Sequence, residues 1–357
     1  MNHAIRIRLA PSLVGLVVLA ACGRSQSAQP LAAVSIAPQA SAAALERATD
    51  QPRTTRAAKL AVSFPEGGAH LPLWWGVEQG VFGRYGLAVT LQPLGGGAGA
   101  LAALQRGETQ IADMTGSVIA AANAQGSDLV ALATLNPVFP YVLVAPEAIQ
   151  TPEDLKGKGI AVRAPGDGTD IAARMALQQL GLVPDRDVRI LAVNTAEARM
   201  AAVKAGKICC TVAQPQDEIE LASSGGYHVL FDFSTLGLPN AQGVIATPRS
   251  YAKANRATVQ AFMDALVESI AASKRDRAAS QALFKKYLKL DDDSTASVLF
   301  DYFAGKVIPS NPRVSAAQFT DGITVLAQTN DRLSGFTMDA FIDTSFLERS
   351  IEKLAPQ

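Results

Sequence analysis

Several kinds of chemistry have too few residues here to be built. The 357-residue chain holds three histidines and three cysteines. They form no His-Glu-x-x-His pair, no paired Cys-x-x-Cys and no Asp/Asn-rich calcium loop. No Gly-x-Ser-x-Gly elbow occurs, which removes the usual hydrolase signature. Gly95-Gly96-Gly97 lacks the later Gly, Lys and Ser of a phosphate loop, and it is poor as a dinucleotide signal. No metal or cofactor is therefore expected, and an enzyme would have to rely on scattered residues. Net charge is also missing, with 32 Lys+Arg balanced by 32 Asp+Glu. No long-range field favours nucleic acid or an anionic membrane, and no basic run carries interleaved aromatics. The apolar run Leu13 to Leu19 is too short to span a bilayer.

The N-terminus carries a different signal. Arg6 and Arg8 precede that apolar run, and Leu19-Ala20-Ala21-Cys22-Gly23 follows it. The series resembles the bacterial lipoprotein signal, in which the Cys is lipidated and becomes the mature N-terminus. It implies a signal peptide over 1–21, lipidation of Cys22, and attachment to the membrane by the lipid anchor only. Residue 23 is Gly, not Asp, so no inner-membrane retention signal is implied. Residues 22–56, rich in Ala, Ser, Gln and Pro, read as a tether with a reach of roughly 30 Å. Cys209 and Cys210, adjacent in a predicted strand, should face opposite ways. A disulfide between them would be strained, so a role as small buried apolar residues is expected.

From Lys59 onward, short apolar runs alternate with helical segments, which implies an α/β fold with mostly parallel sheets. Ala102 to Gly107 leads into Ile111-Ala112, and Ala201 to Gly206 leads into Ile208-Cys209. This echo of a helix stopped by glycine and followed by a short buried strand suggests two lobes of like construction. Beyond Thr247-Pro248 the chain turns helical. Val259, Phe262, Met263, Leu266 and Ile270 mark the stripe of one amphipathic helix.

Ligands of open parallel sheets bind beyond the carboxyl ends of the strands, where helix N-termini expose N–H groups. Candidate ligand-binding residues by that rule are His70, Trp74, Gly97, Thr115, Ser117, Asn136, Arg163, Thr169 and Gln214. Each also has a plainer role. Ser117 and Thr169 suit helix caps, Gly95 to Gly97 and Asn136 suit turns, and Trp74 or its neighbour Trp75 suits the core. Arg163 suits an ion pair, and Gln214 suits a cap before Pro215.

Phe64-Pro65 and Gln79-Gly80-Val81-Phe82-Gly83-Arg84-Tyr85-Gly86-Leu87 resemble the N-terminal motif of the nitrate, sulfonate, taurine and thiamine-precursor binding proteins. Leu155 to Val162 is similar to the start of their second lobe. The resemblance implies a two-lobed periplasmic-binding fold of type II with a hinge and C-terminal helices that return to lobe 1. It places lobe 1 at 57–142 plus 243–357 and lobe 2 at 143–242. It further implies a monomeric, non-enzymatic receptor in the periplasm or cell envelope, which passes a small organic solute to an ABC permease and ATPase. One departure is Gln214-Pro215, where many relatives have Glu-Pro. With Arg163 the only cation among the candidates and Asp170 at a helix start, a hard anion is disfavoured. A sulfonate with a donor group, a pyrimidine or an aromatic acid is expected instead. Two rivals remain: an enzyme like the thiamine-pyrimidine synthases, whose Cys-rich iron motif Cys209-Cys210 partly resembles, and a sensor partner without transport.

Overall fold

The computed structural model describes residues 57–354, except 66, 216, 218, 220, 222, 223 and 234–238. The expected signal peptide, the expected lipidation site Cys22 and the expected tether lie outside the described residues. The strands in chain order are β1 (Ala58–Phe64), β2 (Leu87–Pro93), β3 (Ile111–Met114), β4 (Leu129–Asn136), β5 (Val142–Pro146), β6 (Gly159–Val162), β7 (Arg189–Ala192), β8 (Cys210–Ala213), β9 (Tyr227–Asp232) and β10 (Gly243–Pro248). They form two five-stranded sheets, in the orders β2-β1-β3-β10-β4 and β7-β6-β8-β5-β9. In the first, β1 runs parallel to β2 and β3, and β10 is antiparallel to β3 and β4. In the second, β6 runs parallel to β7 and β8, and β5 is antiparallel to β8 and β9. Each sheet thus takes its antiparallel strand from a chain segment that has just crossed from the other. The crossings fall between Asn136 and Val142 and between Asp232 and Gly243.

The α-helices that lie wholly among the described residues are α1 (Leu71–Glu78), α2 (Val81–Arg84), α3 (Gly97–Gln105), α4 (Gly116–Ala124), α5 (Gly168–Gln179), α6 (Ala196–Lys204), α7 (Arg249–Ala254), α8 (Arg256–Arg275), α9 (Arg277–Leu288), α10 (Asp293–Tyr302), α11 (Thr320–Ala327) and α12 (Ser345–Leu354). The sequence echo has a structural basis: α3 leads to β3 and α6 to β8, equivalent places in the two sheets. Each helix is stopped by a glycine in the left-handed region, Gly107 at φ 71° and Gly206 at φ 66°. The α8 stripe of Val259, Phe262, Met263, Leu266 and Ile270 is fully buried, with Phe262 stacked on Phe82 of α2 at 5.3 Å. Each such side chain contributes about 1.5–3 kcal/mol by leaving water. The free edge at β4 is covered by C-terminal chain, through a bridge from Ala131 to Ile342 and a hydrogen bond from Thr134 N to Pro312 O.

Two expectations are corrected. The C-terminal helices do not all stay with lobe 1, because α11 packs on both α4 and α5. Ile323 belongs to the core of the first lobe, together with the preceding Phe319, and Val325 belongs to that of the second. Cys209 and Cys210 are joined by a disulfide. Cys209 precedes β8, so strand alternation does not govern its side chain. Among the described residues no helix is long and apolar enough to cross a membrane.

Candidate functional site

The carboxyl ends of the parallel strands of both sheets meet at one boundary. From lobe 1, β1 runs into the Gly67 to His70 turn, β2 into Gly96 and α3, and β3 into Thr115 and α4. From lobe 2, β6 runs into Arg163 and the turn before α5, β7 into α6, and β8 into Gln214. His70, Gly97, Thr115, Asn136, Arg163 and Gln214 come together around an inner cavity of about 40 Å³.

Glycines let the two walls approach. A Cβ at Gly67 would stand 2.8 Å from Gln214 Oε1, and one at Gly96 would stand 2.9 Å from Arg163 Cδ. Both glycines have positive φ, 139° and 86°, which L side chains rarely adopt. Ser117 Oγ donates to Gly166 O of the opposite lobe at 3.0 Å and lies 3.1 Å from Thr115 Oγ1. The N-cap of α4 is Thr115, so Ser117 sits inside the helix and not at its cap.

The inner wall contains two buried polar pairs. His70 Nδ1 lies 2.8 Å from Asp113 Oδ2, and Asp113 Oδ1 is buried with no hydrogen-bond partner among the described residues. Gln242 Nε2 donates to Tyr141 Oη at 2.5 Å, while Gln242 Oε1 accepts from Asn240 at 2.9 Å. Burial raises the Tyr141 phenol above its ordinary range.

At the start of α5 the capping carboxylate belongs to Asp167, not to Asp170. Asp167 Oδ1 accepts from Thr169 N at 2.9 Å and Asp170 N at 3.2 Å. Burial raises the Asp167 carboxyl, and Thr169 and Arg163 offset part of that rise. Asp170 instead accepts from Gly166 N at 2.7 Å and Arg174 Nε at 3.0 Å.

Two candidates are not brought to the cleft. Trp74 is 1% exposed and stacks on Tyr287 at 4.7 Å, because α1 presses that face into the lobe 1 core. The Thr169 hydroxyl is spent internally, accepting from Arg163 N and donating to Asp167 Oδ1, both at 2.7 Å. Its backbone position at the α5 start matters, but its side chain does not line the cavity.

A second, larger cavity of about 470 Å³ shares Gly67, Arg163 and Gln214 with the inner one. That is the size of a small-molecule site. Its lobe 2 wall includes Glu197, Arg199 and Met200 of α6 and Asp217, and its lobe 1 wall is Tyr287 to Asp292 with Thr295. Sequence reasoning missed Arg199, which lies four residues before the buried Val203 on α6. An arginine on a buried helical stripe is the signal that could have found it. It also corrects the expectation of a single cleft cation. Asp113 was missed because it is one short residue in a buried strand.

Two five-stranded α/β lobes, joined by two crossings and meeting at their strand tips, define the two-lobed periplasmic-binding fold. The chain belongs to the NMT1/THI5-like family, whose profile matches residues 68–278. None of the curated proteins matches it. Its fold is similar to that of the alkanesulfonate-binding protein of Xanthomonas axonopodis pv. citri, solved with MOPS bound. That likeness has a TM-score of 0.64 and 21% identity, over 82% of this chain and 97% of that one. It is also similar to the periplasmic nitrate-binding protein of Synechocystis, with a TM-score of 0.66 and 13% identity over 84% and 89%. The aliphatic sulphonate binding protein of Escherichia coli gives a TM-score of 0.63 and 21% identity over 77% and 94%.

Proposed function

We propose that this chain is an extracytoplasmic solute-binding lipoprotein, anchored through Cys22, that captures a small organic solute between its lobes and delivers it to an ABC importer. The observation that carries the reading is the cavity of about 470 Å³ whose walls come from both lobes. A solute touching both walls at once stabilises the closed arrangement over an open one. A permease then has a shape to read, and an ATPase a signal to act on. The names of the similar solved structures, sulfonate- and nitrate-binding proteins, support the solute-binding part of this reading. Sulfonates, taurine-like compounds, pyrimidines and aromatic acids are the solutes to test, and the receptor acts as a monomer without catalysis.

The test is a thermal-shift screen of the mature chain against those classes and nitrate. A solute at about one hundred times its dissociation constant adds about 2.7 kcal/mol of stability. The same solute should stimulate ATP hydrolysis by the reconstituted importer only when the receptor is present. Cys22→Ser should release the protein from the membrane fraction. If no compound shifts unfolding, or if iron copurifies in stoichiometric amount, the receptor reading is lost.

A further inference from the structure

Arg199 enters the large cavity from α6 and is 2% exposed. Its Nη1 donates to the carbonyls of Val193 at 3.2 Å and Asn194 at 3.4 Å. Its Nε is buried and has no hydrogen-bond partner among the described residues. A guanidinium carries five donors in a rigid fork suited to carboxylate, sulfonate or phosphate oxygens. An unpaired buried N–H on a side chain that lines a solute-sized cavity therefore marks a place where an acceptor belongs.

Arg163 lines the same cavity, and its side chain lies against Gly96 of lobe 1. Among the described residues, the carboxylates that act on Arg199, Asp167 and Asp217, are already engaged. Asp167 caps α5 and stands 3.9 Å from Arg163 Nε, and Asp217 Oδ2 accepts from Gln214 N at 3.1 Å. The outer part of the cavity has the opposite character. Glu197, Asp291 and Asp292 line it there as exposed acids, with Lys289 as the one exposed base. A second anionic group would meet that acidic rim, whereas a neutral or cationic group would not.

We propose that Arg199 and Arg163 form an oxyanion subsite, and that the solute is an organic monoanion, a sulfonate or carboxylate, whose far end is neutral or positively charged. This rests on the solute-binding reading and assigns its polarity: anionic end to lobe 2, other end to the rim formed by Tyr287 to Asp292. Electrostatics agree with the geometry. Burial pushes the Arg199 guanidinium down from its ordinary range; Asp217 opposes that fall, and the like charge of Arg163 adds to it. An oxyanion held between the two guanidinia relieves both strains.

The test uses the mature chain in Tris chloride and calorimetric titration with matched probes. MOPS is compared with N-propylmorpholine, which lacks the sulfonate, and with propanedisulfonate, which adds a second one. Para-hydroxybenzoate is compared with para-hydroxybenzamide. We expect MOPS or para-hydroxybenzoate to bind at least tenfold more tightly than its uncharged-end counterpart, and propanedisulfonate to bind more weakly than MOPS. Arg199→Gln should weaken the anionic probe at least tenfold while leaving the benzamide unchanged, and Arg199→Lys should restore part of the loss. Should Arg199→Gln fail to fold, the Nε signal of Arg199 in ¹⁵N spectra of the wild-type chain is the readout, moving on addition of the anionic probe. Equal binding within each pair, an unchanged affinity in Arg199→Gln, or a static Nε signal with the anion bound overturns the subsite while leaving the receptor standing. Failure of every probe and every screened solute overturns both.

Discussion

Lobe 1 and lobe 2 share one strand plan and bring different chemistry to the cleft. Lobe 1 presents mostly uncharged groups at its strand ends: Gly67, Gly96, Gly97, Thr115 and Asn136, with His70 held by Asp113. Lobe 2 presents charge: Arg163, Asp167, Arg199 and Asp217. The topology delivers strand tips to the boundary in both cases, and the residue that follows each strand decides what is delivered. Glycines on one side let the charged side chains of the other come close. In the proposed receptor, lobe 1 therefore governs fit and lobe 2 governs polarity. The acidic rim on the lobe 1 side comes from the chain around Asp291 and Asp292 between α9 and α10, an addition without counterpart in lobe 2.

This division can be broken most severely at Gly168, where a side chain would enter the lobe boundary itself. A Cβ there would collide with the Gln242 amide and stand 2.9 Å from Tyr141 Oη. Gly168→Ala should cost about 3 kcal/mol in chemical denaturation and abolish the ligand-induced thermal shift. A milder break is Asp170→Ala, which leaves Gly166 N and Arg174 without their shared acceptor. A loss of about 2 kcal/mol is expected, with weaker solute binding because the Gly166 turn touches Ser117. Ser117→Ala removes only that one bond between the lobes, so about 1 kcal/mol is expected. Scattering on the solute-free chain should show a shifted balance between open and closed shapes.

The smallest effect sharpens the contrast from outside the cleft. Asp264 on α8 accepts from Lys353 Nζ and Ser350 Oγ of α12, each at 2.7 Å. Burial alone would raise its carboxyl, but the bonds from Lys353, Ser350 and Gln260 outweigh it, and the group sits below its ordinary value of 3.8. A depressed carboxylate adds stability above its unfolded value, and that stability fades as pH falls from there through the folded value. Acid titration of unfolding should show this fade in the wild type and not in Asp264→Asn, with a difference at neutral pH of about 0.5 kcal/mol, since Lys353 is largely exposed. Solute affinity should not change.

The layered α/β plan was legible because period and punctuation agreed: buried strands such as Leu129–Asn136, glycine stops at Gly107 and Gly206, and the α8 stripe. Six candidate residues converge on one cavity because Asn136 ends a strand, Thr115, Arg163 and Gln214 directly follow one, and His70 and Gly97 stand at helix starts, positions that sheet topology fixes. Trp74 and Thr169 failed that inference for opposite reasons. Trp74 belongs to a helix whose buried face could not be oriented from sequence, and Thr169 spends its hydroxyl on neighbours within six residues. Arg199 was hidden by its neighbourhood, since a helix with Glu197 and Lys204 reads as a solvated surface. Tyr287 to Thr295 begins 83 residues after Lys204, the end of α6, and follows no strand, so only the packing of the chain could bring it to the cleft.

Helix α11 bridges the two lobes, with Ile323 and the preceding Phe319 in the core of lobe 1, Val325 in that of lobe 2, and Leu326 packed against both. It acts as a clasp that peptide connectivity alone does not supply. Swinging one lobe away from the other means either dragging this greasy clip along or peeling it off into water. The stiffness of the joint, and hence how wide the jaws gape, is therefore set by a few methyl groups on this helix as well as by what fills its mouth.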